Sequence, residues 1–248
     1  MIKVNRLSKS FSDFKAVDDV SFDVSPGEVL GFLGPNGAGK STTMKMLTGF
    51  LEPSSGTVEI AGHNVWQDPI SAQKEIGYLP EGAPGYADMT VKSSLEFIGQ
   101  ARGYSGRDLA TRIEHAVAKV QLETVLEKRI ENLSKGFRRR LGLAQALLHD
   151  PKILILDEPT DGLDPNQKHQ VRELIRSLSK DKIVVVSTHI LEEVSAVCTR
   201  AMILAQGKIV FDGTPVELAE QSGFHNAVSL RMDRLSCLLY TSPSPRDS

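Results

Sequence analysis

One stretch of eight residues constrains this chain more than any other: Gly34-Pro35-Asn36-Gly37-Ala38-Gly39-Lys40-Ser41. It fits the spacing G-x-x-x-x-G-K-[ST] and stands between an apolar run, Val29 to Leu33, and a segment of helical period from about Ser41 to Thr48. Strand, glycine loop and helix in that order are the context in which such a loop grips phosphate. Glycines let the backbone fold tightly enough for successive N–H groups to point inward at phosphate oxygens, and the helix N-terminus adds partial positive charge. Lys40 is expected to reach the β- and γ-phosphates and the Ser41 hydroxyl to ligate magnesium, with Thr42 completing the ATP-binding stretch.

The rest of the chain must supply a core, and 248 residues at 40% hydrophobic are enough for one. Twenty-nine Lys and Arg against 31 Asp and Glu give a formal charge of -2, so the basic field that drives nonspecific nucleic-acid binding is absent. No nucleic-acid partner is expected. The two cysteines, Cys198 and Cys237, match no metal or redox spacing. Cys198 reads as a small buried apolar residue, in keeping with a reducing cytosol. Met1 to Leu7 has no apolar stretch behind it, which argues against a secretory signal. The longest apolar runs, Ile153 to Leu156 and Ile183 to Val186, are far below the roughly 20 residues that span a bilayer.

β-Branched runs alternate with helical segments, which predicts an α/β fold: a mainly parallel core sheet covered on both faces. Lys152 to Leu156 precedes a helix starting near Pro165, and Ile183 to Val186 and Ala201 to Leu204 continue the alternation. Ile2 to Leu7, Val17 to Val24 and Thr57 to Ile60 read as an antiparallel flank. From Thr90 to about Glu131 the strand signals stop, and Leu95, Ile98, Leu109, Ile113, Val117, Val120 and Leu122 fall on helical spacings. This predicts a helical subdomain at about 88–132, inserted into a domain of residues 1–234. The end, from Cys237 to Ser248, has two prolines, several serines and no periodicity, and resembles translated sequencing-adaptor DNA. Genuine coding sequence is expected to end near Arg234, with 235–248 a disordered, non-native tail.

Ile153-Leu154-Ile155-Leu156-Asp157-Glu158 is a buried strand ending in two carboxylates, costly there without a cation or proton to manage. Downstream of a phosphate loop, Asp157 is expected in the magnesium shell and Glu158 beside the attacking water. Leu133-Ser134-Lys135-Gly136-Phe137 precedes that strand. With this segment the chain resembles the ABC-transporter ATPases, whose signature is commonly Leu-Ser-Gly-Gly-Gln. Lys135 stands for the first glycine and Phe137 for the glutamine. Ser134 is also a good helix N-cap, and the segment alone does not separate the two roles.

The resemblance runs from about Ile2 to Leu218 and implies a P-loop NTPase that hydrolyses ATP with Mg2+. It implies that Ser134, Lys135, Gly136 and Asp164 contact ATP held by another protomer, so two sites lie at the interface of a homodimer or of a pair with a paralogous ATPase. Phe11 matches the aromatic residue that stacks on adenine. Asp161-Gly162-Leu163-Asp164 matches the loop of contacts between protomers, and His189, in Ser187-Thr188-His189, the switch histidine that hydrogen-bonds the γ-phosphate. Glu81 departs from the usual glutamine. A carboxylate there can bind magnesium but adds negative charge near the triphosphate. The surface around Gly82 to Met89 is expected to meet a separate multi-helix membrane permease, which puts the chain peripherally on the cytoplasmic face. Lys135, Glu81 and the run from Asp161 to Gln167 are most like exporters of the multidrug, polysaccharide and gliding-motility kind. A soluble ABC ATPase acting on ribosomes or DNA is the alternative. Arg138 to Arg140 read as a solvated or phosphate-facing edge.

Overall fold

Ile2–Phe11 (β1) and Phe14–Val24 (β2) pair antiparallel around a tight turn that sets Phe11 opposite Phe14. The structure is a computed structural model, and it describes residues 1–82 and 85–220. Val29–Leu33 (β3) runs through the glycine loop into Lys40–Leu47 (α1). Ser55–Ile60 (β4) and His63–Asn64 (β5) complete an antiparallel sheet of order β2-β1-β4-β5. Pro69–Lys74 (α2) is capped by Asp68, which accepts from the Ser71 amide, and Ile76–Leu79 (β6) follows.

The predicted helical insert comes next. Val91–Ala101 (α3) starts at Thr90, whose hydroxyl oxygen accepts from the Ser93 amide at 3.1 Å. Gly106–Val120 (α4) and two short 3₁₀ turns, Glu123–Val125 and Ile130–Asn132, lead to Lys135–Leu147 (α5). Leu95, Leu109, Val117, Val120 and Leu122 are buried, as their spacing predicts. Ile153–Asp157 (β7), Pro165–Leu178 (α6), Ile183–Thr188 (β8), Leu191–Val197 (α7), Arg200–Ala205 (β9), Lys208–Gly213 (β10) and Pro215–Glu220 (α8) complete the described chain.

The second sheet has the order β10-β9-β3-β8-β7-β6, parallel except for β10 at one edge. Its strands alternate between two cores. Leu30, Phe32, Ile155 and Val185 pack with Leu7, Phe22 and Met44 toward the antiparallel sheet. Val29, Leu154, Leu156 and Val184 pack with Leu95, Leu143 and Ile175 on the helical side. Each such side chain contributes about 1.5–3 kcal/mol by leaving water. Because both faces are covered, function is confined to the strand ends, where β3, β7 and β8 all terminate. Among the described residues no helix is long and apolar enough to cross a membrane. Cys198 is half-buried against the helical-side core, and burial pushes its thiol up to about 12. Cys237, and the expectations for the tail, lie outside the described residues.

Candidate active site

The glycine loop forms where the central strand β3 hands over to α1. Gly39 has φ +107, and a Cβ there would sit 2.6 Å from the Ala16 carbonyl oxygen, so only glycine fits both the backbone and the space. The loop wraps around Lys40, which is buried and donates from Nζ to the carbonyls of Gly34 at 2.7 Å and Pro35 at 3.1 Å. A cation is thereby held inside the curve of the loop, with the first turn of α1 opening beside it.

β7 delivers the two carboxylates. Asp157, 1% exposed, accepts on Oδ1 from the Ser41 hydroxyl at 3.3 Å and from the Ser187 hydroxyl of β8. Its Oδ2 is buried with no hydrogen-bond partner among the described residues. An orphaned carboxylate oxygen next to a serine hydroxyl is a donor set for a hard cation. Among the described residues no group of three or more His, Cys, Asp or Glu side chains is placed to hold a metal ion by itself.

Glu158 turns the chain away from the strand at φ +47, a left-handed conformation that costs a non-glycine residue roughly 1–3 kcal/mol. Its main chain is pinned on both sides. The N–H donates to the Ser187 carbonyl at 3.2 Å and to the Ser187 hydroxyl at 3.0 Å, while the carbonyl accepts from Arg139. The carboxylate that results lies 3.2 Å from Nδ1 of His189, which follows β8 and is half exposed. Parallel pairing of β7 with β8 brings Glu158 and His189 together across 31 residues.

The loop, Glu158 and His189 share one cleft of ≈ 540 Å³, with Asp157 bonded to Ser41 just outside its walls. Its walls include Phe11, Asn36, Gly37, Gly39, Lys40, Ser41, Thr42, Glu81, Glu158 and His189. Gly34, Pro35 and Ala38 complete the loop behind them, with the Ala38 amide donating to the Pro35 carbonyl at 3.1 Å. Ser134, Lys135, Gly136 and Asp164 are not in those walls. Ser134 caps α5 by accepting from the Phe137 amide at 3.4 Å, and Asp164 caps α6 by accepting from the Gln167 amide at 2.9 Å. Lys135 pairs with Asp161 at 3.0 Å, and its hydrogen bond holds the Asp161 carboxyl below its ordinary value.

Two functional candidates were invisible in the sequence reading. Phe14 lines the cleft beside Phe11 and is 62% exposed, a second ring face that hairpin register alone brings there. The reading of Arg138 to Arg140 as a solvated or phosphate-facing edge is corrected at Arg139, which is buried, while Arg138 is exposed and Arg140 half-buried. Arg138 donates to the carbonyls of Leu133 and Glu131, and Arg140 to those of Val120 and Gln121. Arg139 is 4% exposed and donates to the carbonyls of Pro80, at 3.2 Å, and Glu158. Arg138 and Arg140 thus serve carbonyls at the ends of their segments, whereas the Glu158 carbonyl accepts from the Asp161 amide as well as from Arg139.

A phosphate loop between a central parallel strand and its helix, with an acidic strand end and a glutamate–histidine pair beside it, defines a P-loop nucleotide-hydrolysing protein. The family model described as ABC transporter matches residues 17–161. The ABC transporter ATP-binding protein YxlF of Bacillus subtilis (strain 168) is 41% identical over 221 residues, 89% of this chain and 73% of the relative. Nod factor export ATP-binding protein I of Paraburkholderia xenovorans (strain LB400) is 37% identical over 218 residues, 88% of this chain and 72% of that protein. The solved ATP binding subunit of an ABC transporter superposes with a TM-score of 0.80 at 31% identity, over 89% of this chain and 92% of that one. The chain belongs to the ABC transporter ATP-binding proteins and is an ATPase.

Proposed function

We propose that this ATPase is the motor subunit of an exporter, with residues 1–234 as its ATP-binding domain. Two copies, or this chain and a paralogous ATPase, close around two ATP molecules at the cytoplasmic face of the membrane, beneath a separate multi-helix permease. The observation that carries the reading is the single cleft in which the phosphate loop meets the Glu158–His189 pair. The family's signature residues Ser134, Lys135 and Gly136, with Asp164, are absent from its walls. Residues that serve ATP but lie outside their own chain's cleft fit a site completed by a second protomer. Relatives named for Nod factor export and multidrug transport favour the outward direction.

In this reading Phe11 and Phe14 offer ring faces to adenine, and the loop amides with Lys40 hold the phosphates. Ser41 and Asp157 would hold Mg2+, with Glu81 across the cleft as a further carboxylate. When bound, the ion neutralises charge on the phosphates. The Glu158 carboxylate takes the proton of the attacking water as its oxygen bonds to the γ-phosphorus and the bond to the leaving ADP breaks. His189 orients Glu158 and hydrogen-bonds the γ-phosphate. Tyr86, in the Gly82 to Met89 region expected to meet the permease, stands edge-on to Phe97 of α3 with ring centroids 5.8 Å apart, an exposed aromatic pair.

Glu158→Gln is expected to lower ATP turnover by about 100-fold or more while ATP-dependent dimerisation persists. Undiminished turnover would remove the catalytic assignment. Affinity purification of the tagged chain from detergent-solubilised membranes of its source is expected to bring a multi-helix protein with it. Recovery on ribosomes or DNA alone would favour the soluble alternative.

A further inference from the structure

Arg139 presents a problem in elementary electrostatics. A guanidinium is charged at any working pH, and withdrawing it from water costs several kcal/mol unless its surroundings compensate. A leucine or methionine at this position of α5 would join the apolar side of the helix without that cost. Yet Arg139 is 4% exposed, and the two hydrogen bonds it makes go to main-chain carbonyls, Pro80 at 3.2 Å and Glu158. Burial lowers its pKa, an effect opposed by the charges of Asp161, Asp157, Glu158 and Glu81. These four carboxylates favour the charged guanidinium, and among the described residues none forms a direct ion pair with it.

The two carbonyls it joins belong to the two sides of the site. Pro80 follows β6 and leads into Glu81, and Glu158 carries the carboxylate facing His189. Glu158 occupies a left-handed conformation at φ +47, and such a peptide persists only where neighbours hold it on more than one side. Ser187 holds the N–H side, and Arg139 shares the carbonyl side with the Asp161 amide, which donates at 3.1 Å.

We propose that Arg139 is a positioning residue for ATP hydrolysis: its guanidinium clamps the Pro80 and Glu158 carbonyls, setting the Glu158 carboxylate in place and tying it to the loop at Glu81. The proposal rests on the reading of Glu158 as the carboxylate that serves the attacking water. Arg139 is absent from the walls of the cleft, so its loss leaves the phosphate loop intact and acts on turnover. Lysine keeps the charge but has one ammonium where the guanidinium spans two acceptors, and recovers part of the effect.

Steady-state ATPase kinetics on the full chain test this, with unfolding midpoints measured in parallel. Arg139→Gln is expected to lower kcat by about 30-fold with KM for ATP within about twofold, and Arg139→Lys by about 5-fold. Arg140→Gln removes a comparable set of carbonyl contacts from the far side of the same turn, to Val120 and Gln121, and is expected to keep kcat within about twofold. Equal kcat losses in Arg139→Gln and Arg140→Gln, or an unchanged kcat in a folded Arg139→Gln, overturn the proposal. If Arg139→Gln does not fold, Arg139→Lys decides: a kcat equal to that of the parent overturns it. Glu158→Gln in the same assay separates the two levels. An active Glu158→Gln defeats the reading of the site, whereas an inactive Glu158→Gln beside a fully active Arg139→Gln defeats the clamp alone.

Discussion

His149 shows how far a single buried group can bias the whole fold. It follows α5, is 8% exposed, and donates from Nε2 to the Ile76 carbonyl at 2.9 Å, which leaves Nδ1 as a buried acceptor without a partner among the described residues. Burial, reinforced by the positive charge of Arg102, lowers its pKa to about 4. Since the folded pKa lies below the unfolded value of 6.5, the unfolded chain takes up a proton that the folded one refuses as pH falls. Stability from this source is therefore whole above about 6.5, declines down to about 4, and is constant below, a loss of about 3 kcal/mol across the window. Urea midpoints at pH 7 and pH 5 should differ by more in the parent than in His149→Gln, and equal differences would refute the assignment. The sequence carried no sign of this, nor of the clamp at Arg139. Both depend on carbonyl acceptors, which every residue possesses, at separations of 73 residues for His149 and of 59 and 19 for Arg139. Lys40, Ser41, Asp157 and Glu158 were legible because their chemistry lies in side chains at a spacing that a strand and a loop dictate.

At the scale of elements, legibility followed the strength of the apolar period. β3, β7 and β8 are continuous β-branched runs with no ambiguity of face, and the insert declared itself because leucines and valines fell on helical spacings over two long helices. β6 was not legible as a strand. It is four residues long, contains Gly77, and ends one residue before Pro80. The structure supplies the reason for the glycine. A Cβ at Gly77 would collide with the Ala146 carbonyl oxygen and approach Leu154 Cδ2 and Pro151 Cγ to 2.8 Å, so α5 lies directly on the strand. That close approach is what brings the start of the same helix within reach of Pro80 and Glu158. Gly77→Ala should therefore destabilise the protein by about 2–3 kcal/mol and lower turnover as well, because α5 cannot be pushed outward without carrying Arg139 with it. Chemical denaturation with parallel ATPase measurement checks both, and a variant as stable as the parent would show that the contact is slack. β1 and β2 extend beyond their predicted ends because pairing with each other, not their own sequence, stabilises the hairpin tip that presents Phe11 and Phe14.

For the whole molecule, the question is what completes the site. Within one chain, the cleft holds a cationic loop and a glutamate–histidine pair, with the orphaned aspartate oxygen on the residue bonded to Ser41. Ser134 is meanwhile exposed at the N-terminus of α5, with Lys135 turned onto Asp161. If that helix end serves ATP held by a partner, damage to it must separate binding from assembly. Ser134→Arg removes a helix cap, a cost of about 1 kcal/mol that the fold can absorb, and introduces a long cation at the proposed interface. Placed in the Glu158→Gln background, it should leave binding of a fluorescent ATP analogue to the loop within about threefold of the parent, while the ATP-dependent shift from monomer to dimer in gel filtration disappears. Lys40→Ala in the same background should lose both, since the cation inside the loop belongs to binding itself. A Ser134→Arg, Glu158→Gln protein that binds ATP and still dimerises would mean that α5 lies outside the shared site. Loss of binding along with dimerisation would instead mean that Ser134 acts within its own chain. Only the split outcome matches a cleft whose signature residues are absent from its walls.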